Sequence, residues 1–239
     1  KMPSSGLKLP AWFYRVSAAA RKRGGAILWD FDEDISDLDE TSQDSEAQPY
    51  DGPDAAYYYE LKEKREERKR ELQRRKEYLR KRREDGRQAE LEKQQEVQAA
   101  YQAFEITISN GGTTCLGPLD SQFDLYCLDY FDRFYDPSPH GYQRRYIKFQ
   151  YPEGEQDEGR SGILNGRLWL NPNVDYELSP LIPPEQASLD QFRLKTIDGN
   201  FELVVQFIDK DHLILRVSRD FVFMDNPQDA SGPETFIFM

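Results

Sequence analysis

The sequence predicts an α+β chain. A long, charged, single α-helix is followed by a small antiparallel β-rich domain, a sandwich or a meander sheet, and is preceded by a partly disordered N-terminal arm. Three observations carry this. Residues 56–104 contain no proline and one glycine, Gly86, among Glu, Lys, Arg, Gln, Leu and Ala, the better helix formers. Residues 106–239 alternate apolar and polar side chains between turn signals. Residues 30–54 carry eleven acids and no base, a composition that does not build a core. The expected divisions are a basic-aromatic segment over 1–29, an acidic disordered linker over 30–54, the helix over 55–105 and the β-domain over 106–239.

The first segment is entirely basic in its charges, with aromatics among them. Pro10 is placed to open a short helix at Ala11. Arg21, Lys22 and Arg23 then sit at its negative end, and Gly24-Gly25 stops it. Trp12, Phe13 and Tyr14 make it a candidate docking peptide or nucleic-acid patch. The competing expectation is a capped helix packed on the protein's own fold. In the acidic linker, Ser36, Thr41 and Ser45 lie beside carboxylates and are candidate phosphorylation sites. The tract is also suited to cover a basic surface.

Asp54 is a plausible N-cap for the long helix. Pairs such as Glu60–Lys64, Glu66–Arg70, Glu71–Arg75 and Glu77–Lys81 each add about 0.2–0.5 kcal/mol. A dimeric seam needs apolar a and d positions sustained over several heptads. Leu61, Leu72, Leu79 and Leu91 are too widely spaced for that, and Lys62–Glu71 holds no large apolar side chain, so the middle reads as solvated. Tyr57, Tyr58 and Tyr59 form an aromatic end with docking potential. Val97, Ala100, Tyr101 and Phe104 recur at helical spacing and are expected to pack on the β-domain. Gly86 is a possible break. Arg74, Arg75, Lys76, Arg80, Lys81, Arg82 and Arg83 concentrate positive charge around one acid, Glu77. They are candidate contacts to phosphate or to an acidic partner.

In the β-rich part, strands are expected at 104–108, 146–151 and 162–170. Residues 123–131 are ambiguous between strand and helix, and the proline-rich 178–188 is expected to be a loop. Strands at 192–197, 201–208 and 212–223, joined by Asp198-Gly199-Asn200 and Asp209-Lys210-Asp211, form a meander. Phe221–Met224 and Phe236–Met239 repeat an edge-strand pattern. The segment from Asp198 to Met239 resembles uncharacterised proteins of filamentous fungi. That resemblance implies a fungal lineage and carries neither a catalytic motif nor an activity.

Chemistry-bearing sets are sparse. Cys115 and Cys127 lack zinc-site spacing and are too few for a disulfide framework. His140 and His212 have no spaced partner for a metal. Asp120, Asp124, Asp129, Asp132 and Asp136 lack the order of an EF-hand loop. No cofactor motif occurs, and no apolar run approaches a membrane span. The expectation is a non-enzymatic interaction protein of the cytoplasm or nucleus, an adaptor or scaffold with a protein partner. The alternatives are a factor that binds RNA or the ribosome through the basic helix, and an acidic chaperone of basic proteins.

Overall fold

The computed structural model describes residues 9–35, 50–137, 144–152, 162–224 and 232–239. It contains the long helix and two four-stranded antiparallel sheets, an α+β architecture. The chain divides into two compact units, Lys1–Lys81 and Arg82–Met239.

In the first unit, helix α1 spans Ala11–Arg23. Pro10 precedes it with extended backbone, and the basic residues 21–23 fill its last turn. Gly24 ends it at φ 87°, the left-handed geometry that glycine adopts without a Cβ penalty, with its N–H donating to the Ala20 carbonyl. Phe13, Val16 and Ala20, at three- and four-residue spacing, are buried. A 3₁₀ turn follows at Leu28–Asp34. Thus the start of the acidic tract, expected to be disordered, is folded. Its apolar Phe31 and Ile35 enter a small core with Phe13, Val16 and Leu61, which supplies the burial that acids alone cannot. Residues 36–49 of the tract, with Ser36, Thr41 and Ser45, lie outside the described residues.

Helix α2 runs from Ala55 to Ser109 without interruption at Gly86. The glycine is explained by packing: a Cβ built there lies 3.0 Å from Cζ of Phe131 and 3.2 Å from Cε2. We therefore expect Gly86→Ala to gain nothing in the native chain, because the Phe131 contact offsets its helix propensity. In a Phe131→Leu background the same change should stabilise by up to about 1 kcal/mol. Urea unfolding of the four variants in this cycle measures the coupling.

The predicted strand at 104–108 is helical. Phe104 and Ile108 are one helical turn apart and both meet the core, whereas Ile106 is exposed. The Thr107 and Ser109 hydroxyls donate to the carbonyls of Ala103 and Glu105, four residues back. Tertiary packing thus overrides the β-branched preference.

The second unit holds strands β1 (Gln122–Asp124), β2 (Tyr146–Gln150), β3 (Leu164–Asn171) and β4 (Val174–Leu181) in one sheet. The other sheet holds β5 (Phe192–Lys195), β6 (Glu202–Phe207), β7 (Leu213–Ser218) and β8 (Thr235–Phe238). Each strand pairs antiparallel with its neighbours in chain order. Two seams join the sheets. At one, Leu178 bridges Thr196 and the Ile197 N–H donates to the Glu177 carbonyl at 3.0 Å. At the other, Tyr126 and Met239 exchange two backbone hydrogen bonds, of 2.8 and 2.9 Å. The eight strands therefore follow one another in a ring joined at these two seams. Its interior is filled by side chains, as expected for a ring of this strand number. Phe207 is in ring contact with Phe123, Phe149 and Phe192 at centroid separations of 6.4, 5.7 and 6.0 Å.

Two further local expectations are corrected. The proline-rich segment is not wholly loop, because β4 continues through Ser179 and Pro180 to Leu181. A register shift opposite Leu164 and Gly166 makes room there for a residue with no N–H. The strand expected to run to Phe223 stops at Ser218, whose hydroxyl accepts from the Phe221 N–H and starts helix α4, Arg219–Val222. The ambiguous 123–131 resolves into β1 and helix α3, Leu128–Phe134.

Candidate interaction site on the long helix

In the first unit the aromatics assigned to docking split into two groups. Phe13 is buried, and Trp12, Tyr57 and Tyr58 are half-buried against it. Trp12 stacks on Tyr58 at 5.8 Å, and Phe13 meets Tyr57 and Tyr58 edge-on. These rings serve the unit's own core. Tyr14 and Tyr59 face solvent, although the Tyr59 hydroxyl accepts from the Tyr50 N–H.

The interval Lys62–Glu71, read as solvated, is covered on one face and exposed on the other, where Glu63, Glu67, Arg70 and Glu71 lie. Leu61, Arg65, Arg68 and Leu72 recur at four, three and four residues, so they share a helix face. Arg65 lies over the Trp12 ring at 5.5 Å. Arg68, buried, donates to both carboxylate oxygens of Asp32 at 2.8 and 2.9 Å and to Glu71 at 2.8 Å. These donors hold the Asp32 carboxyl below its ordinary value, outweighing the opposing effect of burial. Arg15 pairs with Asp34, and Arg23 with Asp30. The folded acids are therefore engaged by the protein's own arginines. Counting only large apolar residues conceals this stripe; the four-three-four spacing with arginines at two positions was the available signal.

The seven bases assigned to an anionic partner are not equivalent. Arg74, Arg75, Lys76, Arg80 and Lys81 are exposed. Arg74 makes one long contact, 3.4 Å, to the Arg70 carbonyl. Arg82 and Arg83, in the second unit, turn to its surface instead. Arg82 donates to the Pro137 carbonyl, and Arg83 to the Asp132 carbonyl while facing the Tyr135 ring at 5.9 Å. Arg87 joins them, with Nε 3.1 Å from both Asp132 carboxylate oxygens. One of the scattered aspartates, Asp132, is thereby a counter-ion of Arg87.

Within the second unit, the sequence conceals a buried ion pair. Glu90 is 0% exposed. Its carboxylate accepts from the Cys127 N–H at 2.9 Å and pairs with the Arg145 guanidinium, itself 7% exposed. Arg145 also donates to the Leu125 carbonyl and lies over the Tyr130 ring at 5.4 Å. One turn on, Gln94 accepts from the Leu128 N–H at 3.1 Å. Two side chains of α2 thus satisfy backbone donors at the start of α3, which has no capping side chain of its own. Val97 and Phe104 are buried below them, with Ala100 and Tyr101 packed alongside, as their spacing implies.

The remaining candidates carry little chemistry. His212 Nδ1 lies 2.9 Å from Asp209, at a turn, while His140 is outside the described residues. Among the described residues no group of three or more His, Cys, Asp or Glu side chains is placed to hold a metal ion. No helix among them is long and apolar enough to cross a membrane. Cys115 is exposed and Cys127 buried. Burial pushes the Cys127 thiol up to about 11. Iodoacetamide at neutral pH should therefore modify Cys115 rapidly and Cys127 only on unfolding, as peptide mass mapping would show.

Comparison with protein-family models, curated proteins and solved structures finds no match to this chain.

Proposed function

We propose that the chain is a non-enzymatic adaptor whose β-unit anchors the helix and whose helix carries the binding determinants. The observation supporting this reading is the use of the buried and half-buried polar groups. Glu90, Gln94 and Arg145 serve to grip α2, and the ring interior is occupied by phenylalanines. The acids of the 3₁₀ turn are neutralised at home, which weighs against the chaperone of basic proteins. The bases Arg74, Arg75, Lys76, Arg80 and Lys81 present positive charge at the surface, which complements a partner with a negatively charged face.

The test is crosslinked capture followed by mass spectrometry, with native chain and a variant in which those five bases are glutamates. Arg82 and Arg83 stay native, because they hold the second unit. The reading expects a defined protein in the first sample and its loss from the second at unchanged helicity. Identical capture by both would refute it.

A second reading, phosphate contact on RNA, rests on the same basic run. It expects retention of labelled single-stranded RNA by the native chain. That binding should weaken steeply between low and moderate salt, as counterion release requires.

A further inference from the structure

A groove of about 430 Å³ opens in the first unit between the 3₁₀ turn and α2, lined by Ala26, Ile27, Leu28 and Trp29 on one side and Lys64, Glu67, Arg68 and Glu71 on the other. Its size is that of a ligand cleft. Trp29 is 68% exposed and Ile27 42% exposed, although Phe31 of the same turn is fully buried. A tryptophan is a costly residue to leave in water, and at interfaces it is a frequent anchor.

The charges around the groove select its occupant. Lys64 is bound to Glu60, and Arg68 to Asp32 and Glu71. Both bases are thus already matched by acids. Beyond those partners, the exposed carboxylates Glu63 and Glu67 lie on the same ridge of α2 as Glu60 and Glu71, at three- and four-residue spacing, so acids outnumber the two bases there. An apolar floor beside an acidic ridge complements a segment with apolar side chains on one face and lysines or arginines on the other.

From this complementarity we infer that the Trp29 groove is a docking site for a basic amphipathic helical segment of a partner protein. The inference rests on the adaptor reading and names the chemistry of one partner surface. It uses a surface distinct from the basic run at 74–81.

The experiment titrates the full chain into a fluorescein-labelled synthetic peptide of leucine and lysine with leucines at i, i+3, i+4 and i+7, at physiological salt. Fluorescence anisotropy should report saturable binding, and tryptophan emission should shift to the blue. Trp29→Ala and Ile27→Asp should each weaken binding about tenfold or more. Both residues are exposed, so circular dichroism should show their folds intact. Glu185→Gln, an acid on the second unit, should leave binding unchanged, and the matching leucine–glutamate peptide should not bind. No saturable binding, or equal binding by the native chain and both groove variants, would overturn the inference. So would light scattering that shows a dimer lost in Trp29→Ala, since a second copy would then be the occupant. If the peptide fails while capture that depends on the five bases persists, the groove inference alone falls.

Discussion

Glu90→Ala should destabilise the second unit by about 3–5 kcal/mol, the cost of leaving a buried guanidinium without its carboxylate. The loss has two parts. Arg145 keeps its bond to the Leu125 carbonyl and its place over Tyr130 but loses its counter-charge. The Cys127 N–H, buried, loses its acceptor. For a unit of this size the thermal midpoint should fall by roughly 10 °C. Replacing both partners separates desolvation from packing. In Glu90→Met/Arg145→Leu no charge is stranded, so much of the loss should be recovered, with the unbonded Cys127 N–H as the residual cost. Thermal unfolding of the two single variants and the double variant measures this. Equal losses in Glu90→Ala and the double variant would mean that the pair acts only through its shape.

Phe207→Ala should cost a similar amount, about 3–5 kcal/mol, by a different route. Phe207 is nearly fully buried and touches three other rings inside the strand ring. Removing it opens a cavity that its neighbours on β1, β2 and β5 fill only in part, because antiparallel pairing fixes their backbones. The effect should appear in urea midpoints with an unchanged dependence on denaturant. Exposed Ile197 is the control, and Ile197→Ala should change stability by under about 0.5 kcal/mol.

Much of the architecture could be read from the residues because local signals agreed with burial. Pro10, the basic last turn and Gly24 bounded α1, and the Asp198-Gly199-Asn200 turn with its flanking alternation gave β5 and β6. Reading failed where a tertiary partner decided the outcome. Phe104–Ile108 alternates like a strand, yet the helix that precedes it and the core below Phe104 and Ile108 keep it helical. Pro180 reads as a loop residue, yet a register shift admits it to β4. Arg68 and Glu90 look like two more charges in a charged helix. Their burial depends on Asp32 and Arg145, which lie 36 and 55 residues away. No spacing within α2 names those partners. The three-four recurrence could still have shown that charged residues occupy a packed face. The closure of the strands was equally hidden, because one seam is formed by Tyr126 and Met239, neither within a named strand.

These contacts divide α2 by environment. Its C-terminal part is clamped by Glu90, Gln94, Val97 and Phe104, and the segment from Arg74 to Lys81 meets solvent. Hydrogen exchange of the full chain, read by mass spectrometry along α2, tests that division directly. Amides over 90–104 should exchange only with unfolding of the second unit, and those over 74–81 should exchange much sooner. In Glu90→Ala the slow segment should lose most of its protection. Uniform protection along the helix, unaltered by Glu90→Ala, would contradict the account.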